Sequence, residues 1–311
     1  MVQSIPFGAR STADKVLAGV DLTGKRIVVT GCNSGIGFET MSALGANGAH
    51  VIGLARSLED AKMACDAVGP SSTAVACDLG DLDSVSAAAD TIRGLAGPLD
   101  AIVANAGIAN QATLQTRYGV EMQFLVNHVG HFALVNELLG RVRDGSGRIV
   151  IVSSGASINQ APAEGIMFDN LDGSRFYDPP VFYGQSKLAN ALFAKELSRR
   201  LGDRGIAVNS LHPGATQGTR LNRSVSGALK IVLSAAQLFM KSAPRGAATQ
   251  ALLAASPRVS GITGEYWANC RIATGNPLLQ DLGLAERLWD VSHEIVARHS
   301  ASPAKSLREA A

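Results

Sequence analysis

The chain is short of net charge. Its 28 lysines and arginines stand against 26 aspartates and glutamates, leaving +2 over 311 residues. That balance gives no bulk electrostatic drive toward nucleic acid, and no basic cluster with interleaved aromatics supplies a local one. Cysteine is scarce too. Cys32, Cys65, Cys77 and Cys270 are scattered without a Cys-x-x-Cys pair. This argues against a disulfide framework or a metal site and fits a reducing compartment, the cytoplasm being the expected one. Long apolar runs are also missing. Residues 1–24 lack the apolar core of a signal peptide. The apolar stretch 228–240 is interrupted by Lys230, Ser234 and Gln237, and it falls short of the ~20 residues that span a bilayer. No linker, repeat or low-complexity break divides the chain. What remains, 46% hydrophobic and 17% charged, is the composition of a globular protein with a full core.

Apolar runs at 26–30, 50–55, 73–76, 100–104, 148–153 and 207–211 read as strands. They are continuous rather than alternating, so both of their faces are expected to be buried in a parallel sheet. Segments 82–94, 115–139 and 183–201 between them carry apolar positions at intervals of three and four and read as helices. The stretch 264–267 is a candidate edge strand. The expectation is one α/β domain, a doubly wound parallel sheet over 23–299, preceded by an arm (1–22) and followed by a disordered tail (300–311).

Two stretches carry chemistry. Thr30-Gly-Cys-Asn-Ser-Gly-Ile-Gly37 follows the first strand and opens a helix. Glycines there let the backbone approach a phosphate, and free amides at a helix start favour negative charge. Tyr183-Gly-Gln-Ser-Lys187 puts a phenol and an ammonium on one helix face. A tyrosine base at neutral pH needs its pKa lowered by roughly 2–3 units, and a nearby cation favours the phenolate.

With Asp78-Leu79, Asn105-Ala-Gly107, Asn127, Ser153-Ser154 and Pro213-Gly214 falling in the same order, the chain resembles the short-chain dehydrogenase/reductase family over about 20–270. Leu125-Val-Asn-His-Val-Gly-His-Phe132, Ser186-Lys-Leu-Ala-Asn190 and His212-Pro-Gly214 are similar to its branch of retinol dehydrogenases and WW-domain-containing oxidoreductases. The resemblance implies a Rossmann-like fold and a nicotinamide cofactor. It implies Tyr183 as general acid/base, Lys187 lowering the Tyr183 pKa and binding the nicotinamide ribose, Ser154 stabilising the substrate oxygen, and Asn127 anchoring a relay water. It also implies that Gly31, Asn33, Ser34, Gly35, Ile36 and Gly37 form the pyrophosphate turn, with Asp78 and Leu79 at the adenine and Ala106, Gly107, Pro213 and Gly214 along the cofactor, which Tyr183 and Lys187 also contact. Asn105 is read equally as a sheet-stabilising and a cofactor-binding side chain. The threonine expected at the carboxamide is either Thr216 or Thr219.

Arg56 stands where a carboxylate would accept the ribose 2′-hydroxyl of NAD. A guanidinium suits a 2′-phosphate, so NADP(H) is expected over NAD(H), and with it reduction. Ser154 and Tyr183 are separated by an insert at 155–182 that is typical of the branch. It contains a rival phenol, Tyr177, with no lysine four residues on. An apolar segment at 215–242 is read equally as a lid over a small apolar alcohol or carbonyl and as packing, and it leaves peripheral membrane contact open. His128 and His131 are expected in packing or supporting roles rather than at a metal. Homodimer and monomer both stay open, as does a catalytically silent cofactor sensor or scaffold; an epimerase or dehydratase ranks below these.

Overall fold

A computed structural model describes residues 5–216 and 240–300. The strands are β1 (Arg26–Thr30), β2 (His50–Ala55), β3 (Ser72–Ala76), β4 (Ala101–Ala104), a short hairpin β5 (Thr116–Arg117) and β6 (Val120–Glu121), then β7 (Arg148–Val152), β8 (Ala207–His212), β9 (Tyr266–Ala268) and β10 (Arg271–Ile272). The hairpin stands apart. The others form one sheet in the order β10-β9-β8-β7-β4-β1-β2-β3, parallel throughout except for β10.

Successive residues of a strand point to opposite faces, and here each face has its own core. Val28, Ile52, Ile102, Ile149 and Val208 enter one apolar cluster. Their neighbours Ile27, Val29, Val51, Val103 and Val150 enter the other. Burying such a side chain contributes roughly 1.5–3 kcal/mol, which is why a strand covered on both faces reads as an unbroken apolar run.

The helices are α1 (Ala13–Leu17), α2 (Gly35–Ala46), α3 (Leu58–Val68), α4 (Leu82–Gly94), α5 (Met122–Phe124), α6 (Gly130–Leu138), α7 (Ala156–Asn159), α8 (Pro179–Arg200), α9 (Ala243–Ala255) and α10 (Leu282–Ser300). Residues of α4, α6, α8 and α10 pack into the first cluster, and residues of α1, α2, α3 and α9 into the second. β1 pairs with β2 on one side and β4 on the other. Strand order therefore reverses beside the C-terminal end of β1, and such a reversal opens a crevice for ligands.

Several expectations need correction. Segment 115–139 is not one helix. Tyr118 (φ 57°) and Gly119 (φ 75°) are left-handed and turn the β5–β6 hairpin. The helical run begins only at Met122, where the Glu121 carboxylate caps the amides of Gln123 and Phe124. It then passes through a π-helical turn, Leu125–Val129. Within the expected N-terminal arm, Ala13, Val16 and Leu17 of α1 are buried in the second core. Segment 264–267 is not the edge: β9 is one strand in, and β10 lies outside it. Positions 217–239 of the expected lid, with Thr219, and the tail beyond 300 lie outside the described residues.

Candidate active site

β7 ends at Val152, and Ser153 and Ser154 follow at the mouth of the crevice. α8 crosses this end. Asp178 caps the amide of Val181, and prolines fill its first positions, where no amide partner is missed. The helix runs against the insert backbone at Gly184, where a Cβ would lie 2.5 Å from Ala161 N. It is also stapled to β7. Ser153 Oγ donates to Lys187 O (2.7 Å), and Lys187 Nζ (3.1 Å) and Asn190 Nδ2 (3.0 Å) both donate to Val152 O.

This packing sets the charges. Lys187 is 4% exposed, and burial pulls its pKa down to about 8. Burial raises the Tyr183 phenol, and a hydrogen bond with the Ser154 side chain opposes the rise. The opposition therefore comes from Ser154 rather than from Lys187, whose ammonium lies 6.0 Å from the Tyr183 ring centroid. A phenol held protonated beside a serine hydroxyl is set to donate to a substrate oxygen. Tyr177, the rival, has no such place. Its hydroxyl donates to Gln111 O, and burial and Glu121 push it up to about 12.

Asn127 sits in the π-helical turn, fully buried. Its Oδ1 accepts from Ile108 N (2.8 Å), and its Nδ2 donates to Ile108 O (2.9 Å) and Ser186 Oγ (2.9 Å). The side chain thus fastens the loop after β4 to α8. Gly107 makes the approach possible, since a Cβ there would lie 2.9 Å from Asn127 Oδ1 and 3.2 Å from Lys187 Nζ.

The glycine turn lies across the crevice. Gly31 (φ 68°) and Gly35 (φ 55°) take left-handed backbone, while Gly37 answers to crowding: a Cβ would stand 2.2 Å from Gly31 O and 2.5 Å from Asn105 Nδ2. Ser34 precedes α2 without a side-chain capping bond, and Asn33 and Ile36 flank it in the turn. Asn105 turns out to be an internal brace. Its Nδ2 donates to Thr30 O (2.8 Å), and its Oδ1 accepts from Gln250 Nε2 (3.0 Å). Asp78 Oδ1 accepts from Gly80 N, and Leu79 is buried beneath α6. Arg56 is exposed just past β2 and pairs with no acid among the described residues. Beyond β8, Pro213 and Gly214 (φ 92°) lead to Thr216, whose hydroxyl donates to Gly214 O (3.1 Å). A Cβ at Gly246 would touch both Thr216 and Ile36, so the two ends of the expected cofactor site converge.

Four residues outside the expected catalytic and cofactor-binding set belong to this region. Gln250 reaches the glycine turn from α9. Tyr266 OH donates to Ser154 O (3.3 Å). His212 Nδ1 accepts from Gly155 N (3.0 Å) and Gly214 N (3.4 Å), joining the serine loop to the turn after β8. His131 bonds Asn127 O and Thr30 Oγ1. Only the two histidines left a signal, one in a spacing of three and one before Pro-Gly; a glutamine and a tyrosine far downstream left none.

Residues 25–166 match the family model for short chain dehydrogenase. The chain is 37% identical to short-chain dehydrogenase TIC 32 B, chloroplastic, of Brassica napus, over 93% of this chain and 94% of that one. It is 36% identical to retinol dehydrogenase 14 of Mus musculus, over 88% and 86%. A solved structure of an uncharacterised protein from Mycobacterium paratuberculosis superposes with a TM-score of 0.72 at 30% identity, covering 92% of this chain and 97% of that one.

Proposed function

The chain belongs to the short-chain dehydrogenase family, and from that membership we propose an NADP(H)-dependent oxidoreductase that interconverts an apolar alcohol and its aldehyde or ketone. The observation that carries the proposal is the convergence of Ser154, Tyr183 and Lys187 at the end of β7, facing an open glycine turn.

The residues fit a nicotinamide dinucleotide. Gly31 and Gly37 leave a cradle that a Cβ would obstruct, and Ser34 places no side-chain cap on the first amides of α2. Gly31, Asn33, Ser34, Gly35, Ile36 and Gly37 would hold the pyrophosphate, Asp78 and Leu79 the adenine, and Ala106, Gly107, Pro213, Gly214 and Thr216 the nicotinamide half. Arg56, which pairs with no acid among the described residues, would hold the 2′-phosphate. Bound NADPH would supply the hydride. Tyr183 gives its phenolic proton to the substrate oxygen, and Ser154 Oγ–H stabilises the charge that develops there. Lys187 holds a positive charge behind Tyr183 and meets the ribose hydroxyls. Asn127 anchors the water through which the proton is replaced.

Supporting an apolar substrate are the apolar residues of 215–242 and the likeness to a retinol dehydrogenase. The monomer is the favoured state, because α10 already covers apolar faces of α6 and α8. Trp289 packs against Phe132 and Phe193, and Arg200 stands 4.2 Å over its ring. Buried free cysteines suit the cytoplasm. Among the described residues no helix is long and apolar enough to cross a membrane.

The test is NADPH oxidation followed at 340 nm across a panel of apolar aldehydes, ketones and polar sugars. Turnover confined to the apolar members is expected. Turnover on the sugars alone would contradict the substrate class, and faster turnover with NADH would contradict the role of Arg56.

A further inference from the structure

His131 is fully buried in α6, between the π-helical turn that carries Asn127 and the end of β1. Its two ring nitrogens each have one partner. Nδ1 lies 2.9 Å from Asn127 O, and Nε2 lies 2.8 Å from Thr30 Oγ1. A carbonyl only accepts, so Nδ1 carries the proton. Nε2 is then a lone pair, and the Thr30 hydroxyl donates to it. That leaves Thr30 Oγ1 two lone pairs, and both are used: Asn105 N donates at 2.9 Å and Ala106 N at 3.0 Å.

The reverse tautomer would face Nδ1's lone pair with a carbonyl and bring a third N–H to Thr30. An imidazolium would add the same surplus donor. The partners therefore admit one protonation state. Burial, together with Lys187 nearby, acts in the same direction and lowers the His131 pKa to about 4.

We infer that His131 is a positioning residue: as a fixed Nδ1–H imidazole it ties the turn bearing Asn127 to Thr30 beneath the glycine turn, keeping the proton-transfer side and the cofactor side of the crevice in one register. The inference rests on the reading of that turn as the cofactor site. It gives the π-helical turn a function as well, in keeping with the frequency of such turns at functional sites. A ring that only filled space would need neither nitrogen.

The test pairs two measurements on the full chain. In 15N-histidine NMR of the wild type, with the His131 signal identified by its loss in His131→Phe, a neutral Nδ1–H imidazole unchanged from pH 8 to pH 5 is expected. An Nε2–H signal, or a titration midpoint above pH 6, overturns the inference. NADPH binding by fluorescence is then compared between wild type and the folded fraction of His131→Phe. About tenfold weaker binding is expected, with the KM for NADPH rising more than kcat falls. Equal affinity refutes the role of His131 alone. A wild type that binds neither NADPH nor NADH refutes the proposed function, and with it the cofactor consequence, whatever the NMR shows.

Discussion

Replacing Lys187 by methionine should make the protein more stable while removing its activity. The lysine is fully buried, with a pKa pulled from 10.5 to about 8. At about 1.4 kcal/mol per unit, keeping that ammonium charged at pH 7 costs about 3 kcal/mol of stability relative to the unfolded chain. Methionine has nearly the same reach and needs no partner. The substitution loses the Nζ bond to Val152 O, but Asn190 Nδ2 still donates to that carbonyl. A net gain of about 1–2 kcal/mol remains, raising Tm by about 1.5–3 °C in a chain of 311 residues. The sign also depends on pH. Between about 8 and 10.5 the unfolded chain holds the proton that the folded chain has lost, so wild-type stability should climb with pH there, by up to about 1.4 kcal/mol per unit. Lys187→Met should lack that climb. Urea and thermal unfolding of the two proteins from pH 7 to 10 decide the matter. A variant less stable than wild type at pH 7, with the same pH slope, would show that the charge is well solvated where it lies.

Acid should act through His128 and His131, whose burial lowers their pKa values to about 3 and about 4. The unfolded chain takes up protons near pH 6.5 that the folded chain refuses, so stability should fall as pH drops below about 6.5, by up to about 2.7 kcal/mol per unit; a flat urea-unfolding profile from pH 7 to 5 would contradict this. Gly37→Ala should abolish NADPH binding while leaving a folded protein, because a Cβ 2.2 Å from Gly31 O forces the turn apart; an unchanged affinity in fluorescence titration would refute it. Arg56→Asp should reverse the NADPH-over-NADH preference by at least tenfold, since a guanidinium is exchanged for a charge that repels the 2′-phosphate; competing titrations read the ratio directly.

Much of this architecture was legible from local pattern. β1 and β2 fall where their apolar runs lie, because strands buried on both faces leave an unbroken signal. The glycine turn and the Tyr183–Lys187 helix were legible because their chemistry fixes residue type and spacing. The misses have physical causes. α9 is buried nearly all round and rich in alanine, so it shows no polar face to mark a period. The β5–β6 hairpin is only two residues per strand and runs straight into the helical pattern that follows it, and its turn at Tyr118 lacks the usual left-handed residue. The state of Tyr183 depends on how deeply α8 sinks against β7, and the supporting bonds from Gln250 and Tyr266 join residues more than 100 positions apart. Sequence spacing encodes neither.

The central claim is that Tyr183 transfers the proton while the other site residues supply most of the hold on the cofactor. Tyr183→Phe removes one oxygen and keeps the ring, so NADPH affinity and turnover of an apolar aldehyde should be measured side by side in wild type and variant. The account predicts affinity within a factor of about two, since the phenol adds little to binding, and turnover reduced by at least about a hundredfold, the usual contribution of a positioned general acid. A variant that binds NADPH and turns over at the wild-type rate would contradict it and place the proton donor elsewhere.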